Sequence, residues 1–169
     1  MIIAVAHHKG GAGKTTTAVN LAACWGAEGM RVLLIDCDPQ GAATASLGVD
    51  AEALQCQALA PVAGRYDMIL LDCPPSLDLL AVNTLVAADA VLIPTPPRLL
   101  DVRGIPALLE VMVDVRASLN PALRLLGVVV VQCEPRLSDT QTVLAALAEE
   151  GLPILQTRVR RAAAIARGQ

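Results

Sequence analysis

This sequence predicts an α/β fold: a doubly wound, mostly parallel β-sheet flanked by helices. Three observations predict it. Short apolar runs alternate along the chain with stretches of helical period, the pattern of βαβ units. The runs are apolar on consecutive residues, as at Val128-Val129-Val130-Val131, which suits strands buried on both faces of a parallel sheet. The first run leads straight into a glycine-rich turn, and two later runs end in aspartate. Ligands of such sheets sit at the carboxyl ends of the strands, so all three features fall on one edge.

The elements follow in order. Ile2-Ile3-Ala4-Val5-Ala6 is the first strand. A helix runs from 14 to about 28 and stops at Gly29, a C′ glycine. Strands follow at 32–36, 68–72, 90–94 and 125–131, with a short one near 153–156. A helix is predicted over 103–119, where Ile105, Leu108, Leu109, Met112 and Val115 make one apolar stripe. Ser138-Asp139-Thr140-Gln141 fits a capping box, and Gly151 closes that helix. The stretch 55–64 is the least patterned and reads as a surface connection. There is no internal repeat and no low-complexity tract.

Composition bounds the possibilities. The chain has 169 residues, which suits one domain over 1–169. It is 54% hydrophobic but only 1% aromatic, so its core must be built from Leu, Val, Ile and Ala. No apolar run reaches the length of a membrane span, and no signal peptide is predicted. The cysteines at 24, 37, 56, 73 and 133 are scattered, without metal-ligand spacing, and read as small buried hydrophobes in a reducing cytoplasm. Net charge is −3, yet Arg158, Arg160, Arg161 and Arg167 crowd the last dozen residues, with no acid after Glu150.

The chemistry is carried by the turn after the first strand, Lys9-Gly10-Gly11-Ala12-Gly13-Lys14-Thr15-Thr16. The only lysines of the chain are these two; all other fixed positive charge is arginine. Glycines let the backbone curl with its N–H groups inward, and the following helix adds the positive end of its dipole. That is a phosphate-binding P-loop. Lys14 reaches the β- and γ-phosphates and the Thr15 hydroxyl ligates Mg²⁺. The general pattern G-x-x-x-x-G-K-[ST] is not met, because His8 stands at its first position, but the variant K-G-G-x-G-K-[ST] is.

This loop resembles the deviant Walker A signature of the ParA/MinD ATPases. Asp36-Cys37-Asp38-Pro39-Gln40-Gly41 is similar to the family's D-x-D-P-Q-G segment, and Asp72-Cys73-Pro74-Pro75 to its Walker B strand end and switch. The Pro-rich stretch after Ile93 is closer to the ParA branch. The resemblance implies a P-loop NTPase fold and ATP with Mg²⁺ as cofactors. Lys9, Gly10, Gly11, Ala12, Gly13, Lys14, Thr15 and Thr16 form the nucleotide site, with Thr16 on the α-phosphate. Thr15, Asp36 and Asp72 lie at the metal. Asp38 orients or activates the attacking water, and Lys9 reaches across a dimer interface to the partner's ATP. Base contacts come partly from backbone near Gln132 and Cys133. Lys9, Lys14 and Asp38 are thus the catalytic set.

The implied function is a ParA-like ATPase of the cytoplasm, associated with the nucleoid. It forms an ATP-dependent homodimer and binds DNA nonspecifically through Arg158, Arg160, Arg161 and Arg167. Slow hydrolysis, stimulated by a ParB-like adaptor, drives plasmid or chromosome partition. Arg160 stands where the family usually has Pro, and Gln169 falls where relatives continue into a further helix. A nucleotide-dependent scaffold with negligible turnover is one alternative. A MinD-like membrane-cycling ATPase is another, but it requires an amphipathic C-terminal helix, and the tail offers only Ile165 as a large apolar residue.

Overall fold

The computed structural model describes residues 1–41, 43, 63–133 and 139–160. In chain order these form β1 (Ile2–Val5), α1 (Lys14–Ala27), β2 (Val32–Asp36), β3 (Met68–Asp72), α2 (Leu79–Ala87) and β4 (Ala90–Thr95). There follow α3 (Leu99–Val102), α4 (Ile105–Ser118), β5 (Arg124–Cys133), α5 (Asp139–Glu149) and β6 (Ile154–Arg160). The six strands make one sheet in the order β2-β3-β1-β4-β5-β6, and every neighbouring pair is parallel. The chain leaves β1 toward β3 and β2, and leaves β4 toward β5 and β6. Connections diverge at the β1/β4 junction, where such sheets hold their ligands.

Alternation along each strand sorts the core into two layers. Ile3, Val5, Leu70, Leu92, Val129 and Val131 face Ala18, Leu21 and Trp25 of α1. On the other face, Ala4, Ile69, Leu71, Ile93, Val128 and Val130 meet Leu85 of α2, Leu108, Met112 and Val115 of α4, and Val143 and Leu147 of α5. Each fully buried Leu, Ile or Val contributes about 1.5–3 kcal/mol by leaving water. The predicted stripe of α4 is this contact: Ile105, Leu108, Met112 and Val115 are buried and Leu109 packs at the margin.

Helix ends follow the sequence signals. Gly29 adopts φ +86°, its N–H donating to Gly26 O while that of Met30 donates to Trp25 O. Gly151, at φ +67°, ends α5 with the same pair of bonds, from Gly151 to Ala148 O and from Leu152 to Leu147 O. Both are left-handed caps that suit glycine. Ser138 lies outside the described residues, as does most of 55–64.

Three elements differ from the sequence expectation. Helix α2 was not anticipated as a separate element; its start is capped by the Asp78 carboxylate, which accepts from Leu80 and Ala81 N–H. The helix expected over 103–119 is α4, Ile105–Ser118, but the short α3 before it, Leu99–Val102, was not anticipated. The last strand extends to Arg160, so Arg158 and Arg160 stand on an edge strand and not in a basic tail.

Candidate functional site

Strand register assembles the site. Val5 pairs with Asp72, and Asp72 with Asp36, so the ends of β1, β3 and β2 lie side by side. The loop leaving β1 turns into α1 at Gly13, which has φ +86°; Gly11 has φ +73°. No side chain caps α1, and the first N–H groups of a helix have no intrahelical partner. They are available to an anion at this edge. The end of β5 closes the loop from outside. A Cβ on Gly13 would lie 3.0 Å from Val131 Cγ2. Gln132, itself at φ +56°, donates from Nε2 to Gly11 O at 3.3 Å.

Lys14 is buried and donates from Nζ to Lys9 O at 3.2 Å. Burial lowers its pKa, opposed by Asp72, Cys73 and Asp38. Among the described residues it makes no ion pair. Asp72 is fully buried, and neither carboxylate oxygen has a hydrogen-bond partner. Its pKa is raised to about 6, first by burial and then by Asp36 and Asp38, against Thr15 and Lys14. The Thr15 hydroxyl thus stands close enough to stabilise the carboxylate without the geometry of a full hydrogen bond.

Asp36 accepts from the Asp38 N–H at 3.1 Å, and Asp38 in turn from the Gln40 N–H at 3.0 Å. These bonds brace the turn after β2. Thr16 and Gly10 are exposed, and Ala12 is buried beneath the loop. The loop, Thr15, Asp36, Asp38 and Asp72 therefore lie together, as the sequence predicts.

These residues fit a nucleotide phosphate with Mg²⁺. The loop presents donors, Lys14 is an unpaired buried cation, and Asp72 holds two buried oxygens without partners. No three His, Cys, Asp or Glu side chains cluster as a metal cage among the described residues. A hydroxyl and strand-end carboxylates instead suit Mg²⁺, which keeps waters and takes ligands from phosphate.

Lys9 is placed elsewhere. Its Nζ lies 2.5 Å from Asp101 Oδ1 of α3, a side chain only 3% exposed against 41% for Lys9. Sequence reading missed Asp101, whose only signal is an acid inside an apolar segment. It also missed His7 and its stacking on His8, ring centroids 5.3 Å apart. His8 sits on Gly104, where a Cβ would run into the imidazole ring, so this packing needs glycine between α3 and α4.

Arg158 and Arg160 are exposed and share one face of β6. They pair in register with Val130 and Cys133. Arg161 and Arg167 lie outside the described residues. No helix among the described residues is long and apolar enough to cross a membrane.

Comparison with known proteins gives the family. The model of the CobQ/CobB/MinD/ParA nucleotide-binding domain matches residues 3–169. The chain belongs to this family. Within it, the chain is 41% identical over 185 residues to the chromosome-partitioning ATPase Soj of Thermus thermophilus, covering 86% of this chain and 74% of that protein. It is 34% identical over 186 residues to the sporulation initiation inhibitor protein Soj of Bacillus subtilis, covering 80% and 74%. Among solved structures, it is similar to a cobyrinic acid a,c-diamide synthase from Mycobacterium smegmatis with bound ADP and magnesium. The TM-score there is 0.88 at 31% identity, over 95% of this chain and 86% of that one. The six-stranded parallel sheet is therefore that of the CobQ/CobB/MinD/ParA nucleotide-binding domains.

Proposed function

We propose that this chain is a Soj-like partition ATPase domain that binds ATP with Mg²⁺, pairs with a second copy around the nucleotide, and holds DNA in that state. The observation that carries the reading is the convergence of Lys14, Thr15, Asp36, Asp38 and Asp72 at one sheet edge beside a loop with a second lysine. Similarity to the Soj proteins supports the partition role. The chain spans 74% of each of those two relatives.

Phosphoryl transfer asks a protein mainly for positioning and charge neutralisation. Mg²⁺ would be held by Thr15 and Asp72, with Asp36 beside it, and would supply charge compensation when bound. The backbone of 10–13 and Lys14 cradle the phosphates, and Thr16 reaches the α-phosphate. Asp38, braced by the turn after β2, orients the attacking water. Lys9 acts on the nucleotide of a second copy, a charge supplied in trans. Arg158, Arg160, Arg161 and Arg167 contact DNA phosphates without reading sequence. A ParB-like adaptor stimulates turnover, and the nucleoid in the cytoplasm is the place of work.

Amide-forming relatives share the domain, but a second substrate needs a second pocket. The cleft beside His7, Cys73, Pro74 and Leu77 holds only about 10 Å³, little more than a water molecule, and so offers no such pocket among the described residues.

The test is DNA binding by the purified chain with ATP, ADP or no nucleotide, beside Asp38→Ala. The expected result is binding with ATP only, prolonged in Asp38→Ala and lost at high salt. ATP binding without nucleotide-dependent DNA binding would move the assignment to a nucleotide-dependent scaffold.

A further inference from the structure

Lys9 has two claims on it. The proposed function requires it to leave its own subunit, while the structure holds it in an ion pair with Asp101. We infer that Asp101 is a positioning residue that keeps Lys9 in cis and thereby restrains nucleotide-dependent self-association. This inference rests on the self-association reading above.

Several observations carry it. Asp101 is 2% exposed, and its Oδ2 is buried without a hydrogen-bond partner, so Lys9 is the cation that compensates this carboxylate. Among the described residues no other Lys or Arg forms an ion pair with it. The neighbouring imidazole is a poor substitute, because burial, together with His8 and Lys14, holds His7 at about 4 and hence neutral at pH 7. Withdrawing Lys9 would strand a buried charge, which is costly.

The segment is also fixed from both sides. The Lys9 N–H donates to His7 Nδ1 at 3.1 Å, and Lys9 O accepts from Lys14 Nζ. His8 rests on Gly104, just beyond α3. The start of the phosphate loop is thus latched to the α3–α4 turn. A nucleotide that draws Lys14 Nζ onto its phosphates takes a donor from Lys9 O and loosens one side of the latch. Only molecules with Lys9 released can reach a partner, and both copies must release it, so the apparent affinity for a second copy falls by the square of that fraction.

The composition makes the test direct, because Lys9 and Lys14 are the only lysines in the chain. The chain, Asp101→Asn and Asp101→Ala are labelled with an amine-acylating ester, and each lysine is read by mass spectrometry. Circular dichroism checks that each variant is folded. In parallel, sedimentation with ATP and Mg²⁺ gives the protein concentration at half-association. Both variants should label Lys9 about fivefold faster, the scale of a partly exposed ion pair, with Lys14 as the internal control. Both should also reach half-association at a concentration lower by about 25-fold, one fivefold factor from each copy.

Unchanged Lys9 labelling in a folded variant would overturn the latch. Faster labelling with unchanged half-association would overturn the restraint. Faster labelling when neither the parent chain nor the variants associate would uphold the cis pair and overturn the self-association reading, and the restraint with it. If Asp101→Asn fails to fold, Asp101→Ala, which removes the buried polar group altogether, decides the same points.

Discussion

Asp72 sits at the end of a buried strand with both carboxylate oxygens unpartnered and a pKa raised to about 6. A side chain kept in that state is costly unless something else uses it. Metal binding needs the ionised form, so the Mg²⁺-dependent part of nucleotide affinity should fall as pH drops through about 6. Asp72→Asn should abolish that part; calorimetric titration with and without Mg²⁺ at pH 7.5 and 5.5 measures it. An Mg²⁺ effect that persists unchanged in Asp72→Asn would remove Asp72 from the site. Asp72 was legible in sequence because it ends an apolar run. Asp101 was not, because its importance comes from Lys9, which approaches it from a loop 92 positions away by numbering (101 − 9).

Helices and loops here are held by a few backbone devices. Gly13 combines φ +86° with a 3.0 Å approach of any Cβ to Val131. Gly13→Ala should cost at least ~1 kcal/mol from the left-handed backbone alone, seen as a lower urea midpoint with phosphate binding also weakened. Asn120 closes the carboxyl end of α2, donating from Nδ2 to Leu85 O, Val86 O and Ala88 O at 3.3, 3.1 and 2.8 Å. Leu85 O keeps the Ala88 N–H, but Asn120→Ala leaves Val86 O and Ala88 O short of this donor and should cost about 1–3 kcal/mol, read in the same unfolding experiment, with the nucleotide site spared. The glycine caps at 29 and 151 were readable in sequence because a left-handed residue is a local demand. The short α3 before α4 was not, because the turn that sets it off rests on the His8 ring packing on Gly104 from another element.

For the whole molecule, two buried groups pull stability in opposite directions with pH. His7 is held at about 4 by burial, then by His8 and Lys14. Between pH 6.5 and 4 the unfolded chain binds more protons at His7 than the folded one, so this contribution falls as pH drops. Asp72 behaves in the opposite sense. Between about 3.8 and 6 the folded chain binds more protons there, so its contribution rises as pH drops and is lost above about pH 6. Replacing His7 with Asn should therefore flatten the acid-side loss of stability, while Asp72→Asn should stabilise the chain most at pH 7, where it removes an unpaired buried charge. Urea unfolding at pH 4.5 and 7 separates the two. A His7→Asn profile parallel to that of the parent chain would show that His7 is not the acid-sensitive group.

Sequence alone determined the strand and helix alternation, the two faces of the core and the phosphate loop. These depend on periodicity and on glycines with local backbone roles, which a chain carries along its own length. It also determined that Asp36 and Asp72 end strands, and hence that they meet at one edge of a parallel sheet. Tertiary structure decided the rest. It chose the partner of Lys9, set His8 on Gly104, put the Gln132 amide against Gly11, and carried Arg158 and Arg160 onto an edge strand. The reason is physical. Ion pairs, ring packing and strand ends depend on how elements far apart in sequence approach each other, and neither composition nor local pattern encodes that approach.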